Sequence, residues 1–234
     1  MASRNEVNKE KVTKEILQLW NSSSKDEYDL LLKNISINKY KKNENVYRDS
    51  ERPMNALLLI SGKVKIYKDG INGRSQIVRI IKPVEFFGYR AYFANEIYKT
   101  AAMAIENCVV ASFPIEILTR MMAGNFNIAV FFIRNLSKEL GTSDDRTVNL
   151  TQKHIRARLA ETLIFLKDKY GLEADGYTLS IYLSREDIAC MSNMTTSNAI
   201  RTLSAMANEQ LIAVDGRKIQ IIEDEKLREI SKLG

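Results

Sequence analysis

The sequence predicts an α+β chain in three parts: a barrel or sandwich of short strands, one long apolar helix, and two short helices closed by a hairpin. Three observations carry this expectation. Alternating segments separated by turn signals run from Ile35 to Phe113. From Asn125 a helical pattern is apolar on nearly every side. Residues 177–222 hold a capped helix, a second helix with one polar face, and an Asp-Gly turn, in that order.

Length and composition bound the answer. A chain of 234 residues has room for one large domain or two modest ones. With 45% apolar and 27% charged residues it can bury a core, and wholesale disorder is excluded. The longest uninterrupted apolar run is Ile128–Ile133, where a membrane span needs ~20 residues. The N-terminus carries no apolar stretch of the kind a secretory signal needs. A cytoplasmic protein is expected.

Two cysteines, Cys108 and Cys190, and one histidine, His154, remove whole classes of chemistry. A disulfide scaffold, a four-cysteine zinc site and a four-cysteine iron–sulfur cluster are out of reach of one chain. A Ser-His-Asp triad could use only His154, and neither G-x-x-x-x-G-K-S/T nor G-x-G-x-x-G occurs. No metal site is expected, and no enzyme. The 35 basic against 29 acidic residues suit a polyanionic partner. Residues 146–234, however, hold 13 basic against 12 acidic residues, so placement of charge matters more there than its amount.

In order along the chain, Val12, Ile16, Leu17 and Trp20 have helical spacing, and Ser24 with Glu27 three residues later resembles a capping box opening a second helix. Strands are expected at Ile35–Ile37, Val64–Ile66, Ile77–Ile81 and Val109–Phe113. The breaks between them lie at Asp49-Ser50, Ser61-Gly62, Asp69-Gly70, Asn72-Gly73 and Lys82-Pro83, and Asp69–Arg74 reads as a hairpin connection. After Pro114 the pattern turns helical. Ala129, Phe132, Leu136 and Leu140 keep one stripe, with Ile128, Phe131 and Ile133 on the other sides. Such a helix covers the barrel with one side and needs a second apolar surface for the other. A two-fold dimer through Ala129, Phe132, Ile133, Leu136 and Leu140 is the favoured reading; full enclosure in one protomer is the alternative. Thr151 reads as the N-cap of the next helix, which carries Ile155, Leu159, Leu163 and Leu166 and stops at Tyr170-Gly171. The domains are therefore set at 1–124, with N-terminal helices and barrel; 125–150, a dimerisation helix and hinge; and 151–234.

The last part carries the sharpest signal. Tyr177–Leu183 alternates as a strand, and Ser184-Arg-Glu-Asp187 fits a capping box that opens a helix with Ile188 and Met191 inward. Asn193 stands where a tight turn needs a left-handed residue, and Thr195 can cap the following helix. That helix should bury Ala199, Ile200, Leu203 and Met206 and expose Thr196, Ser197, Arg201 and Ser204. Short polar side chains let a helix approach base edges, and one Arg can take guanine O6 and N7 together. Leu211–Val214, the turn Asp215-Gly216 and Arg217–Ile222 form a hairpin with Arg217 and Lys218 near its tip for a phosphate. The whole is a winged helix-turn-helix. Expected DNA contacts are Ser184, Thr195, Thr196, Ser197, Asn198, Arg201, Ser204, Arg217 and Lys218. The bland alternative is two packed helices with Arg201 as a solvated charge; order and spacing together favour DNA.

At this point the chain resembles the Crp/Fnr family of bacterial transcription regulators, of the Bacteroides/Porphyromonas kind, over nearly its whole length. Leu59-Ile-Ser-Gly62-Lys-Val64 is similar to the glycine turn between early barrel strands. Pro83-Val-Glu-Phe-Phe-Gly88 resembles the approach to the cyclic-nucleotide phosphate cassette, and Leu183–Ala189 through Leu211-Ile the DNA-reading segment. The resemblance implies a cyclic-nucleotide-binding-like barrel (a double-stranded β-helix or jelly roll), a long dimerisation helix, and the winged helix-turn-helix. It also implies a homodimer on a pseudo-palindromic site in double-stranded DNA, RNA polymerase as a further partner, and a small-molecule effector.

The effector site departs from the family pattern. The Gly-Glu of the cassette is here Gly88-Tyr89, and the family's phosphate-pairing Arg is matched by Lys99, followed by Thr100. Lys is a point charge and cannot reproduce a guanidinium fork. Cyclic AMP is therefore disfavoured against another small anion at Gly88, Tyr89, Arg90, Lys99 and Thr100, or against an empty pocket. Two cysteines are too few for Fnr-type oxygen sensing, and His154, at the hinge, is badly placed for haem. In the reading helix Thr196-Ser197 replaces the Arg-Glu of many members, so the operator should differ from known ones. A ligand-binding module acting by protein contact is the alternative function. An undetected enzyme ranks last.

Overall fold

The computed structural model describes residues 8–22, 24–70 and 75–233. The chain forms two compact units, Met1–Lys68 with Val78–Gly141, and Asp69–Ile77 with Thr142–Gly234.

The first unit opens with α1 (Lys9–Leu19) and α2 (Lys25–Asn34). Asn8 caps α1, and Val12, Ile16, Leu17 and Trp20 turn inward from it. Ser24 accepts the Glu27 N–H at the start of α2, but the Glu27 carboxylate takes the Ser22 hydroxyl instead of reaching back to the cap. Only half of the expected capping box forms there.

Eight strands follow: β1 (Ser36–Tyr40), β2 (Asn45–Tyr47), β3 (Asn55–Ser61), β4 (Val64–Asp69), β5 (Ser75–Ile81), β6 (Phe86–Phe87), β7 (Ala101–Ala104) and β8 (Cys108–Pro114). They make two four-stranded sheets ordered β1-β8-β3-β6 and β2-β7-β4-β5. The described ladders are antiparallel, with Ile37 opposite Ala111 and Leu58 opposite both Ala111 and Phe86. The jelly-roll expectation holds. β3 lies between β8 and β6 and buries four successive residues, Ala56–Leu59. A strand covered on both faces loses its alternation, which is why it reads as a plain apolar run. Gly62 follows it at φ +84°, and a Cβ there would stand 2.6 Å from the Asn107 carbonyl oxygen, so the turn needs glycine twice over. The expected Asn72-Gly73 turn lies outside the described residues.

α3 (Arg90–Phe93) is a single turn, α4 (Ile115–Gly124) starts at Pro114, and α5 runs Phe126–Gln152. Trp20 lies at the centre of the core, its ring stacked 5.6 Å from Phe86 and 6.0 Å from both Phe113 and Phe132.

The second unit contains α6 (Ile155–Tyr170), α7 (Arg185–Met191), α8 (Thr196–Asn208), the hairpin β9 (Ile212–Asp215) and β10 (Lys218–Ile221), and α9 (Asp224–Lys232). Two expectations need correction. Thr151 is not a cap: α5 passes through it, and its hydroxyl donates to the carbonyls of Thr147 and Val148, as a helical Thr can. His154, exposed, occupies the cap position of α6 instead. Tyr177–Leu183 is extended but makes only isolated bridges, Thr178 with Gln220 and Leu172 with Leu179. The Asp175 carboxylate accepts the N–H groups of Tyr177 and Thr178, which holds the stretch as a loop. α9 lay outside the sequence reading; it packs on α6 through the buried Leu227, flanked by Arg228–Asp168 and Lys167–Asp224 pairs.

Candidate nucleic-acid interface

α7 begins as its sequence dictates. The Ser184 hydroxyl accepts the Asp187 N–H at 3.0 Å, and the Asp187 carboxylate accepts the Ser184 N–H, closing the capping box. This engages the Ser184 hydroxyl in the cap, where it also donates to Asp187 Oδ2 at 2.7 Å. Ile188, Ala189 and Met191 are buried. Asn193 takes φ +50°, the left-handed value the turn requires. Thr195 then caps α8 by accepting the Asn198 N–H at 3.1 Å.

α8 buries Ala199, Leu203 and Met206. Ile200, expected on that side, is 47% exposed and stands with the polar residues. Ile200 sits about 100° round the helix from Ala199, at the border of the stripe, and the narrower set Ala199, Leu203 and Met206 takes the core. Thr196, Ser197, Arg201 and Ser204 are exposed. Arg201 is not a free rotor: Nη2 donates to Asn198 Oδ1 at 2.6 Å, which steadies the guanidinium along the outer face.

The wing is one residue out of the expected register. Asp215 pairs with Lys218, so the two-residue loop is Gly216-Arg217, with Gly216 at φ +54°. Glycine at the first loop position suits a II′ hairpin. Arg217 is exposed at the tip, and the Lys218 ammonium lies 5.9 Å over the Tyr182 ring. One residue that braces the wing escaped the sequence reading. Arg185, the first residue of α7, donates from Nη2 to the Gly216 carbonyl at 2.6 Å and so ties the wing tip to the start of the helix-turn-helix. Its only signal in the sequence was a cation directly after a cap.

The candidate effector residues come together, but on an internal acid. Gly88 takes φ +80°, and the Tyr98 hydroxyl donates to its carbonyl at 2.9 Å. Glu96 pairs with Lys99 at 2.6 Å and with Arg90 at 3.6 Å. The Lys99 hydrogen bond, with further help from Arg90, holds the Glu96 carboxyl below its ordinary range. Tyr89 faces the core, 2% exposed, its ring 4.8 Å from Phe132; burial pushes its hydroxyl well up, and that oxygen has no hydrogen-bond partner among the described residues. Thr100 is half-buried near Tyr47, whose ring stacks 3.9 Å from Tyr98. Tyr89 therefore does not line an anion site. The aromatic core under α5 claims it.

Of the expected dimer residues, Phe132 is buried in its own unit and Leu136 packs against the same cluster. Phe132 is accordingly a core residue, not an interface one. Ala129 is half-buried. Ile133 and Leu140 are exposed, and Phe126, which the sequence reading left out, extends their row seven residues earlier. Burial pushes the Cys108 thiol up to about 11, the state of an inert core residue. No group of three metal-ligating side chains exists among the described residues, nor a helix long and apolar enough to cross a membrane.

Comparison with known proteins agrees with this geometry. A family model described as a cyclic nucleotide-binding domain matches residues 37–125, and one described as a Crp-like helix-turn-helix domain matches residues 157–230. The CRP-like cAMP-activated global transcriptional regulator of Mycobacterium tuberculosis is 24% identical over 183 residues, 78% of this chain and 82% of that protein. The anaerobic regulatory protein of Bacillus subtilis is 24% identical, over 82% of each chain. In fold, FixK2 from Bradyrhizobium japonicum superposes with a TM-score of 0.77 at 21% identity, covering 86% of this chain and 98% of its own. Crp-like helix-turn-helix regulators bind DNA and usually dimerise, and the family is one of regulators, not enzymes. The two family models follow each other in the order of the two units and between them take in most of the sequence; the chain belongs to the Crp/Fnr family of transcription regulators.

Proposed function

We propose that the protein works as a homodimer that places two copies of α8 in successive major grooves ~34 Å apart, on an approximately palindromic operator. The observation that carries this reading is the outward face of α8. Thr196, Ser197, Arg201 and Ser204 stand exposed on the second helix of a helix-turn-helix, beside a wing whose tip presents Arg217. Short side chains and one steadied guanidinium suit base edges, and the wing cation suits a phosphate. The dimer seam is the row Phe126, Ile133 and Leu140 on α5, exposed apolar residues at seven-residue spacing that another copy of the helix would cover. RNA polymerase is the further partner where the protein activates.

Cyclic AMP is not the effector in this reading. No carboxylate follows Gly88, and the two cations among the candidate residues, Arg90 and Lys99, are already paired with Glu96. A small anion taken up there has to displace Glu96 from both. Selection of bound fragments from a genomic library, followed by footprinting and sedimentation of the complex, tests the proposal. A two-fold footprint with two protomers per site is expected. A monomer indifferent to every duplex refutes it.

A further inference from the structure

The groove-facing surface of α8 is not uniformly polar. Ile200 stands in its middle, 47% exposed. One exposed isoleucine on a protein surface needs no explanation, but the position of this one does. Its neighbours one turn away on the same face, Thr196, Ser197 and Ser204, are all short hydroxyl residues, so its branched side chain projects past them. The buried residues that hold the helix to its unit are Ala199, Leu203 and Met206, and half of Ile200 stays open to solvent. It is also next to Arg201, whose guanidinium is braced by Asn198.

From this placement, and resting on the reading that α8 enters the major groove, we infer that Ile200 recognises a thymine through its C5-methyl group, in the base step beside the one taken by Arg201. The thymine methyl is the one apolar group a base pair presents in the major groove. Against it, Ile200 removes apolar surface from water on both sides. Against a cytosine amino group or the guanine O6 and N7, the same side chain displaces water and returns no hydrogen bond. Ile200 thus favours T over C at its position by attraction and disfavours G·C pairs by exclusion, while Arg201 supplies the polar half of the reading.

The experiment takes the full chain and a duplex selected from a random-sequence library. Each thymine of the selected site is replaced singly by deoxyuridine, which removes the methyl and leaves every hydrogen-bonding group in place. Binding is followed by fluorescence anisotropy. At one thymine in each half-site the wild-type protein should lose about fourfold in affinity, the worth of one buried methyl. I200A should bind the thymine and uracil duplexes equally, and I200V, which keeps the β-branched stem and folds as the wild type does, should retain an intermediate dependence. If no sequence is enriched from the library, the groove reading of α8 itself fails. If a sequence is enriched but no thymine methyl matters to the wild-type protein, or I200A and I200V keep the full wild-type dependence, the assignment of Ile200 alone is overturned.

Discussion

Replacing Arg201 by alanine separates a base-reading residue from a solvated charge. In the free protein the side chain is exposed, and its one described bond is to Asn198 Oδ1, three residues earlier on the same helix. A surface pair of that spacing contributes ~0.2–0.5 kcal/mol to a helix, so R201A should unfold within a degree or two of the wild type. On DNA the expectation is different. A bidentate guanidinium-to-guanine pair is worth about 1–3 kcal/mol of discrimination. Two copies in a dimer double that, so affinity for the selected operator should fall by roughly thirtyfold to twenty-thousandfold. Affinity for a scrambled duplex should change little, because one phosphate-range charge per protomer is all that is lost. Anisotropy titrations on both duplexes, with thermal unfolding as a control, read the two effects separately. An R201A protein that folds and keeps full discrimination would mean that Arg201 does not face a base, and the orientation assigned to α8 would be wrong.

Five further outcomes follow from the same structure. R217A, at the exposed wing tip, should weaken specific and random binding alike and lower the salt slope by about one per wing. L140D should shift the dimer to monomer in sedimentation with little loss of fold, since Leu140 is 64% exposed, whereas F132A should cost about 3–5 kcal/mol in urea unfolding because Phe132 fills the core beside Trp20. G62A forces a Cβ to 2.6 Å from the Asn107 oxygen at a left-handed φ and should destabilise by about 2–4 kcal/mol. Cys108 should resist alkylation at pH 8. Its thiol is raised on folding, so its contribution to stability is present below the unfolded value and is lost as pH climbs toward about 11, which stability measurements across that alkaline window can check.

Much of the reading segment was legible because its determinants are local. The Ser184–Asp187 box, the left-handed Asn193 and the Thr195 cap each close within a few residues, and each formed where the sequence placed it. Local rules also misled where two of them competed. Thr151 carries a cap residue's side chain, but its hydroxyl bonded back along α5. Tyr177–Leu183 alternates like a strand, but Asp175 gathered its first N–H groups into a loop. The short strands β6 and β7 were missed because two phenylalanines, or Ala-Ala-Met-Ala, have no period to read; their partners in β3, β2 and β4 lie 28 to 58 residues away along the chain.

The amino-acid order alone determined the class of the protein, the succession of its parts, and the helix bearing Arg201, since periodicity, caps and turn residues act over distances shorter than a helical turn or a hairpin. Only the tertiary structure decided which side of α5 meets the core, that Phe132 and Tyr89 belong to it, that Glu96 pairs with Arg90 and Lys99, and that Ile200 faces outward. Each of those depends on which of several equally apolar or equally charged neighbours finds the better partner across the fold, and that competition is settled by packing between segments distant in sequence.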